Sequence, residues 1–234
     1  MASTPALPWI HHTDPDQLAV LVADHAAARL TTLLDAQEHV VFAVSGGSTP
    51  LRFFRALSQR SLAWDRVVIT LVDDRAVAWD NPRSNTILVR QNLLQNAASQ
   101  ARFVPLNEPD GTPTDQLDWP GSIDLAHFGM GSDGHTASWF PGGDRLDEAL
   151  SEAGPERLPM RAAGAPEARI TFTWAALREA SSAFLHFEGA AKATTIRDAL
   201  APGPVHDLPV RRLLRQNQVP ITVFTDRSRP ETLS

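Results

Sequence analysis

Four short stretches of the chain are almost entirely apolar, and each of them runs directly into a loop of glycines or charged residues. They are residues 40–44, 67–72, 123–128 and 183–187. Short apolar runs of this kind are typical of strands that are buried on both faces, as in a parallel sheet. Because helix-like segments separate them, the sequence predicts an α/β protein of the Rossmann-like, doubly wound kind, with a mainly parallel sheet and helices on both faces.

The remaining segments fit the same fold class. Apolar residues recur at helical spacing after Asp14-Pro15, and Ser84-Asn85 is typical of a helix start. We also expect strands at residues 169–173 and 221–225. Residues 108–120 are rich in Pro, Gly and Asp, which indicates a loop.

Composition narrows the classes of function. No linker divides the 234 residues, 43% of which are apolar, so we expect residues 1–234 to form a single domain with a sizeable core. The net charge of −6 argues against nucleic-acid and anionic-membrane partners, because either would need a basic surface. The sequence contains no cysteine, which excludes disulfides and thiol catalysis.

Three observations predict a cytoplasmic location. Residues 1–10 lack a basic segment followed by an apolar core, and no stretch reaches the roughly 18 apolar residues of a membrane span. The absence of cysteine also suits a reducing compartment. We therefore expect a cytoplasmic protein without a membrane partner.

The most informative loop follows the third apolar run and reads Gly129-Met130-Gly131-Ser132-Asp133-Gly134-His135-Thr136-Ala137-Ser138. Its three glycines allow backbone N–H groups to approach an anion closely. Thr136 and Ser138 are suited to start a helix whose positive end would face the same anion. The loop therefore predicts an anion-binding cradle with a histidine, His135, beside it.

Three known motifs are close to this loop but do not fit it. The pattern G-x-G-x-x-G is the dinucleotide fingerprint, but that motif opens a first βαβ unit, whereas this loop lies past the middle of the chain. The nucleophile elbow G-x-S-x-G fails because Met130 stands two positions before Ser132. Asp133 and His135 lack the spacing of zinc ligands. We therefore predict neither a cofactor nor a metal.

A second loop, Ser45-Gly46-Gly47-Ser48-Thr49-Pro50, repeats this arrangement after the first apolar run. It combines flexible backbone with hydroxyl groups, and Pro50 suits the first turn of the helix that follows. It is not a Walker loop, since the G-K-[ST] ending is absent. A tight strand-to-helix turn would explain this loop equally well by itself, but two such loops in one chain favour phosphate binding.

Charged residues occupy two further loops at the carboxyl ends of predicted strands. Asp73-Asp74-Arg75 follows residues 67–72, and Lys192, the single lysine among 21 basic residues, follows residues 183–187. Ligands of open parallel sheets bind at these ends, and lysine suits a single phosphate oxygen. Local ion pairs in solvent are the alternative for the Asp-Asp-Arg turn. We expect both glycine loops, Arg75 and Lys192 to share one crevice.

Other polar residues in apolar or Arg-rich segments are interpreted as structural. Arg211, Arg212 and Arg215 are expected to form the solvated face of a helix. His186 lies within an apolar run and is expected to be a core residue. Arg52, in the helix after the second glycine loop, is a weaker candidate for phosphate binding.

Taken in order, these motifs resemble those of the 6-phosphogluconolactonase family. The resemblance is carried by residues 45–50, 73–75, 84–85, 129–138, 140–142 and 169–173, and by Gly189 with Lys192. It implies the fold shared with glucosamine-6-phosphate deaminases. It also implies metal-independent hydrolysis of 6-phospho-D-glucono-1,5-lactone to 6-phospho-D-gluconate, a step of the pentose phosphate pathway. The expected partner is then a small-molecule phosphorylated sugar lactone, bound by a monomer or a small homo-oligomer.

Two positions depart from the family pattern. Asp74 stands where the family usually has Glu, and Trp139 where it has Leu. Deaminases are the nearest rival, but after the position of His135 they continue with Ile, an aromatic residue and Asn-Glu, which supply a carboxylate. Residues 136–139 bring no carboxylate. Arg75 likewise stands where deaminases tend to have an aromatic residue.

Lactone hydrolysis suggests roles for the residues that match the family. His135 is the expected general base and acid, since an imidazole can take a proton from water and return it to the leaving ring oxygen. Arg75 would stabilise the oxyanion or bind the phosphate, and Asp73 would orient the imidazole. The expected substrate-binding residues are Ser45, Gly46, Gly47, Ser48, Thr49, Gly131, Asp133, Gly134 and Lys192. A non-catalytic sugar-phosphate-binding protein of the same fold is an alternative of another class.

Overall fold

The computed structural model describes residues 7–114, 116–119 and 121–230. Its strands are β1 (Trp9–His11), β2 (Val40–Val44), β3 (Val67–Leu71), β4 (Asp73–Arg75), β5 (Arg102–Phe103), β6 (Leu125–Phe128), β7 (Arg157–Ala162), β8 (Ala165–Phe172), β9 (Ser182–Phe187) and β10 (Ile221–Thr225). Its α-helices are α1 (Pro15–Ala36), α2 (Leu51–Ser58), α3 (Asn85–Asn92), α4 (Leu146–Leu150), α5 (Trp174–Leu177), α6 (Ala190–Leu200) and α7 (Arg211–Arg215). The expectations for residues 1–10, for the loop at 108–120 and for both ends of the domain therefore lie partly outside the described residues.

Seven strands form a parallel sheet in the order β1-β10-β9-β6-β2-β3-β5. The four apolar runs supply its central strands β9, β6, β2 and β3, and every residue of these strands is buried. This confirms the predicted α/β fold with a mainly parallel sheet. The strand predicted at residues 221–225 is β10, which lies between β1 and β9.

Helices cover the sheet on both faces. Because crossovers between parallel strands are right-handed, α1, α2 and α3 lie on one face and the later helices on the other. Contacts of α2 with α1 and α3, and of α6 with α7, agree with this arrangement. The start of α1 is capped by Asp14, whose carboxylate accepts hydrogen bonds from the N–H groups of Asp16 (2.8 Å) and Gln17 (3.1 Å). No helix among the described residues has both the length and the hydropathy that crossing a membrane requires.

The winding direction of the sheet reverses between β2 and β6. After β2 the chain moves towards β3 and β5, whereas after β6 it moves towards β9 and β10. Ligands of doubly wound sheets bind at such a switch point, outside the carboxyl ends of the strands. The two glycine loops, residues 45–50 and 129–138, follow these two strands and therefore meet at the switch point.

A second sheet, which is antiparallel and has the order β4-β8-β7, departs from the prediction. Residues 73–75 form the edge strand β4 rather than a turn, and Arg75 lies opposite Arg169 of β8. The strand predicted at residues 169–173 therefore belongs to this small sheet and not to the parallel one. A strand of three residues leaves no periodic signal, so only its pairing with β8 defines it.

The helix predicted to begin at Thr136 and Ser138 is wrong. Residues 136–139 form a turn in which the N–H of Trp139 donates to the carbonyl of Thr136 (3.0 Å). The hydroxyl of Thr136 donates to the carbonyl of Gly129 (2.8 Å), and that of Ser138 to the carboxylate of Asp73 (2.5 Å). Both hydroxyls therefore bind other parts of the site instead of capping a helix.

The interpretation of Arg211 as a solvated residue is also wrong. Arg211 is 5% exposed, and its guanidinium donates to the carbonyls of Asp198 and Pro204, at 2.7 Å each. The last carbonyls of a helix have no partner within it, and a buried guanidinium can supply their donors. Arg211 thus closes the carboxyl end of α6 from inside the molecule.

Candidate active site

A cavity of about 330 Å³ opens at the switch point between β2 and β6. The predicted residues on its wall are Ser45, Gly46, Gly47, Ser48, Thr49, Asp73, Arg75, Gly131, His135 and Lys192. Its volume falls within the range of pockets that bind small molecules. The cavity thus brings together the two glycine loops, β4 and the first turn of α6.

The imidazole of His135 is held by a carboxylate two residues away. Its Nδ1 lies 2.6 Å from Oδ1 of Asp133, which also accepts the backbone N–H of His135 (3.2 Å). Burial raises the pKa of Asp133, but the hydrogen bonds and charge of His135 outweigh burial and leave this pKa lowered. An ionised Asp133 keeps the proton of the imidazole on Nδ1, which leaves Nε2 free to accept one. The residue that orients His135 is therefore Asp133, and not Asp73 as predicted.

The backbone of the central loop, residues 129–138, permits this arrangement at Gly131. A Cβ atom at Gly131 would lie 2.3 Å from both Nδ1 and Cε1 of His135, so only glycine allows the imidazole to come this close. The N–H of Gly131 donates to the carbonyl of His135 (2.9 Å), and the ring of Phe140 contacts the imidazole with centroids 4.5 Å apart. Gly134 is packed against Leu208, behind the wall. The imidazole is thus held on several sides.

The two adjacent aspartates of β4 have different surroundings. Asp73 lies on the cavity wall, whereas Asp74 is fully buried. The carboxylate of Asp74 accepts the N–H groups of Arg75 and Asn85, at 2.7 Å each, and the hydroxyl of Thr86 (3.0 Å). Burial raises the pKa of Asp74, and these hydrogen bonds oppose the rise. Asp74 therefore holds the start of α3 in place, next to the site.

The described part of the cavity wall carries four cationic side chains and one carboxylate, that of Asp73. The cationic side chains are those of Arg75, Arg83, Arg169 and Lys192. The Nζ of Lys192 donates to the hydroxyl of Thr49 (3.2 Å), which joins α6 to the second glycine loop. Burial lowers the pKa of Lys192, and the charge of Glu188 opposes this effect.

Two of these cationic side chains have an N–H donor that makes no hydrogen bond to the described residues. The Nε atoms of Arg75 and Arg169 are buried and have no hydrogen-bond partner among the described residues. Burial lowers the pKa of Arg169, and its guanidinium packs over the ring of Phe140 at 5.5 Å. Unpaired guanidinium donors in a concave site are suited to bind phosphate or another oxyanion.

The position of α6 relative to the central loop is set by direct contacts. The hydroxyl of Thr195 donates to the carbonyl of Ser132 (2.7 Å), and the N–H of Gly189 donates to the carboxylate of Asp226 (3.0 Å). The first bond holds α6 against the loop of His135, and the second joins the start of α6 to the end of β10. Lys192 and His135, which more than fifty residues separate, line the same cavity. Among the described residues, no three His, Asp or Glu side chains form a group that could hold a metal ion.

Sequence reasoning missed three polar or charged side chains of the cavity wall, namely those of Arg83, Asn85 and Arg169. Asn85 and Arg169 lie in segments that resemble the family, and this resemblance was the only indication in the sequence that they belong to the site. Nothing local indicates their role, because α3 meets Gly46, and β8 meets β4, only in the folded chain. Arg52, the weaker candidate for phosphate binding, instead forms an ion pair with Asp16 at 3.0 Å between exposed side chains.

Comparison with known proteins gives the family. The sequence model described as glucosamine-6-phosphate isomerases/6-phosphogluconolactonase matches residues 13–222. The chain belongs to this family. The resemblance that the ordered motifs indicated is thereby confirmed.

Individual family members agree over nearly the whole chain. A 6-phosphogluconolactonase of Rhizobium meliloti (strain 1021) is 43% identical over 222 residues, which cover 90% of this chain and 95% of that protein. One of Mesorhizobium japonicum is 45% identical over 227 residues, covering 92% and 94%. The crystal structure of a 6-phosphogluconolactonase from Shewanella baltica OS155 superposes with a TM-score of 0.90 at 35% identity, covering 96% of this chain and 99% of that one.

Proposed function

We propose that the chain hydrolyses 6-phospho-D-glucono-1,5-lactone to 6-phospho-D-gluconate, the second step of the oxidative pentose phosphate pathway, with His135 as general base and acid. The two relatives named 6-phosphogluconolactonase, at 43% and 45% identity, support the reaction. The observation that carries the mechanism is the His135 and Asp133 pair, which shares a cavity with Lys192 and its partner Thr49.

The phosphate of the substrate is assigned to the end of the cavity formed by Lys192 and residues 45–49. Lys192 supplies a compact positive charge, and its contact with Thr49 places this charge beside the glycine loop. Lys192 also lies in the first turn of α6, where the helix dipole favours an anion. A phosphate bound here leaves the lactone ring to extend towards His135.

Hydrolysis needs a base for the water and an acid for the leaving oxygen. Nε2 of His135 takes a proton as the water oxygen bonds to C1 of the lactone, and Asp133 stabilises the imidazolium that forms. The carbonyl oxygen becomes an oxyanion, which we assign to Arg75 because its Nε has no partner among the described residues. The bond from C1 to the ring oxygen then breaks, and His135 returns the proton to that oxygen. Asp133 thus acts as a positioning residue in this scheme.

The surroundings of residues 136–139 do not favour deaminase chemistry. Ring opening and proton transfer on an amino sugar would need a carboxylate shortly after the position of His135, and residues 136–139 have none. The side chains of Ser138 and Trp139 already make hydrogen bonds within the protein. Ser138 donates to Asp73 (2.5 Å), and Nε1 of Trp139 donates to the carbonyl of Phe172 (2.9 Å).

One assay distinguishes the enzyme from its alternatives. The purified protein is given the freshly prepared 6-phospholactone in buffer with a chelator, and the loss of lactone is compared with the spontaneous rate. We expect acceleration in the presence of chelator, and no ammonia from glucosamine 6-phosphate. Release of ammonia would indicate a deaminase, and the absence of both activities would indicate a binding protein.

The role of His135 is tested in the same assay. Replacing His135 by Gln should lower the turnover about 100-fold or more, because the general base is lost. His206→Gln is the control, since His206 also pairs with an aspartate, its Nε2 lying 2.5 Å from Oδ1 of Asp147, but on the exposed surface and away from the cavity. Equal turnover of the His135 and His206 variants would remove His135 from the mechanism.

A further inference from the structure

Asn85 lies on the cavity wall and has no part in the mechanism above. Asn85 is the first residue of α3 and is only 2% exposed. The backbone N–H of Asn85 donates to Asp74 (2.7 Å), and its Nδ2 donates to the carbonyl of Asp73 (2.9 Å). Because a carbonyl can only accept, this second bond sets the orientation of the amide and assigns Oδ1 to the opposite side.

The carbonyl oxygen of this amide is left without a donor. Oδ1 of Asn85 is buried and has no hydrogen-bond partner among the described residues. It lies against the second glycine loop, since a Cβ atom at Gly46 would come within 2.0 Å of it. Buried acceptors without a partner are uncommon in folded proteins, because they lose their bonds to water without replacement.

The chemistry of the cavity indicates which donor would complete this bond. The phosphate and the carbonyl of a phosphorylated lactone accept hydrogen bonds, and the cations on the wall serve them. The ring hydroxyls at C2, C3 and C4 must also donate, and the described part of the wall has one carboxylate, that of Asp73, to accept from them. Oδ1 of Asn85 is a further acceptor, and the bond to Asp73 already holds it in place.

We infer that Oδ1 of Asn85 accepts a hydrogen bond from one ring hydroxyl of the substrate and thereby selects lactones that carry this hydroxyl. The inference rests on the proposed function and adds a specificity-determining residue to it. A site built to bind a hydroxyl rejects the analogue that lacks it, since the polar group of the protein is then left unpaired.

The test compares Asn85→Leu with wild type on four substrates, namely the 6-phospholactone and its 2-deoxy, 3-deoxy and 4-deoxy analogues. Leucine has nearly the same shape as asparagine but cannot accept a hydrogen bond. We expect the wild-type protein to prefer the full substrate over one of the analogues by about tenfold or more in kcat/KM. In Asn85→Leu this preference should fall to about twofold or less, while the preferences over the other two analogues stay unchanged.

Asn107 offers a matched control. It is also buried, its Nδ2 donates to the carbonyl of Arg75 (2.8 Å), and its Oδ1 has no partner among the described residues. It lies outside the cavity wall described here. Asn107→Leu should therefore keep all three substrate preferences of the wild type, whatever its effect on overall activity.

Two results would overturn the inference. Asn85→Leu could lower kcat/KM by the same factor for all four lactones, which would mean that Asn85 only supports Asp73, or it could leave kcat/KM for all four lactones at the wild-type values. If Asn85→Leu does not fold, as judged by circular dichroism, Asn85→Ala removes the same acceptor and is measured instead. Failure of the wild-type protein to hydrolyse the full substrate is a separate result, and it would refute the proposed function.

Discussion

A single methyl group added at Gly131 should have a large effect on catalysis. An alanine Cβ there would lie 2.3 Å from Nδ1 and Cε1 of His135 and 2.4 Å from Oδ1 of Asp133. Ordinary contacts begin near 3.4 Å, so the imidazole must retreat by about 1 Å. A misplacement of about 1 Å can cost about 100-fold in rate, which corresponds to about 2.7 kcal/mol in the activation barrier.

The same substitution should leave the fold nearly unchanged. The side chain of His135 is 32% exposed, so the imidazole can swing outward without disturbing the core. The lost pair with Asp133 is partly exposed and contributes at most about 1 kcal/mol to the free energy of unfolding. We therefore expect Gly131→Ala to lower kcat for lactone hydrolysis about 100-fold, while urea denaturation shows a change of about 1 kcal/mol or less.

Gly164 provides the matched control on the same cavity wall. A Cβ atom at Gly164 meets no atom within 4 Å, so Gly164→Ala should retain wild-type kcat. The reasoning would be refuted if Gly131→Ala kept kcat within about threefold of wild type, or if Gly164→Ala lost as much activity as Gly131→Ala.

Two further predictions concern cationic residues. Because burial lowers the pKa of Lys192 and only the ammonium form attracts phosphate, affinity for 6-phosphogluconate should fall as the pH rises towards this pKa, which lies below the ordinary 10.5. Calorimetry from pH 7 to 10 should show this fall in the wild type but not in Lys192→Arg, and a flat wild-type profile would contradict it. Arg211→Met should lower the free energy of unfolding by about 3 kcal/mol, because buried carbonyls at the end of α6 lose their donors. Arg197→Met, whose side chain is 51% exposed, should change it by less than about 0.5 kcal/mol in the same urea titration, and equal losses would contradict the assigned role of Arg211.

The parallel sheet could be predicted because its central strands are buried on both faces. Complete burial requires an apolar residue at nearly every position, so runs such as 40–44 carry the signal within themselves. The second sheet carries no such signal. Its strand β4 has the sequence Asp73-Asp74-Arg75, and it is a strand only because β8 pairs with it.

The cavity residues that could be predicted are those that directly follow a strand of the parallel sheet. Loops 45–50 and 129–138 and Lys192 all follow apolar runs, and the ends of parallel strands share one edge of a sheet. Arg169 escaped prediction because it reaches the cavity from β8, across the antiparallel pairing.

The partners of the charged side chains could not be predicted either. Asp133 and Asp73 both precede His135 in the sequence, and either could orient an imidazole. The path of the loop around Gly131 brings Asp133 to Nδ1 (2.6 Å), whereas Asp73 accepts the hydroxyl of Ser138. Spacing in a loop does not define a distance, because the backbone dihedral angles are not regular there.

The sequence by itself determined the class of fold, the two glycine loops that follow buried strands and the family, because burial and close backbone approach restrict which residue types can stand at a position. Only the tertiary structure decided which carboxylate holds His135, that Arg169 and Asn85 reach the cavity, and that Arg211 is buried. Hydrogen bonds of side chains join elements that are far apart in the chain, and their geometry exists only once those elements have packed.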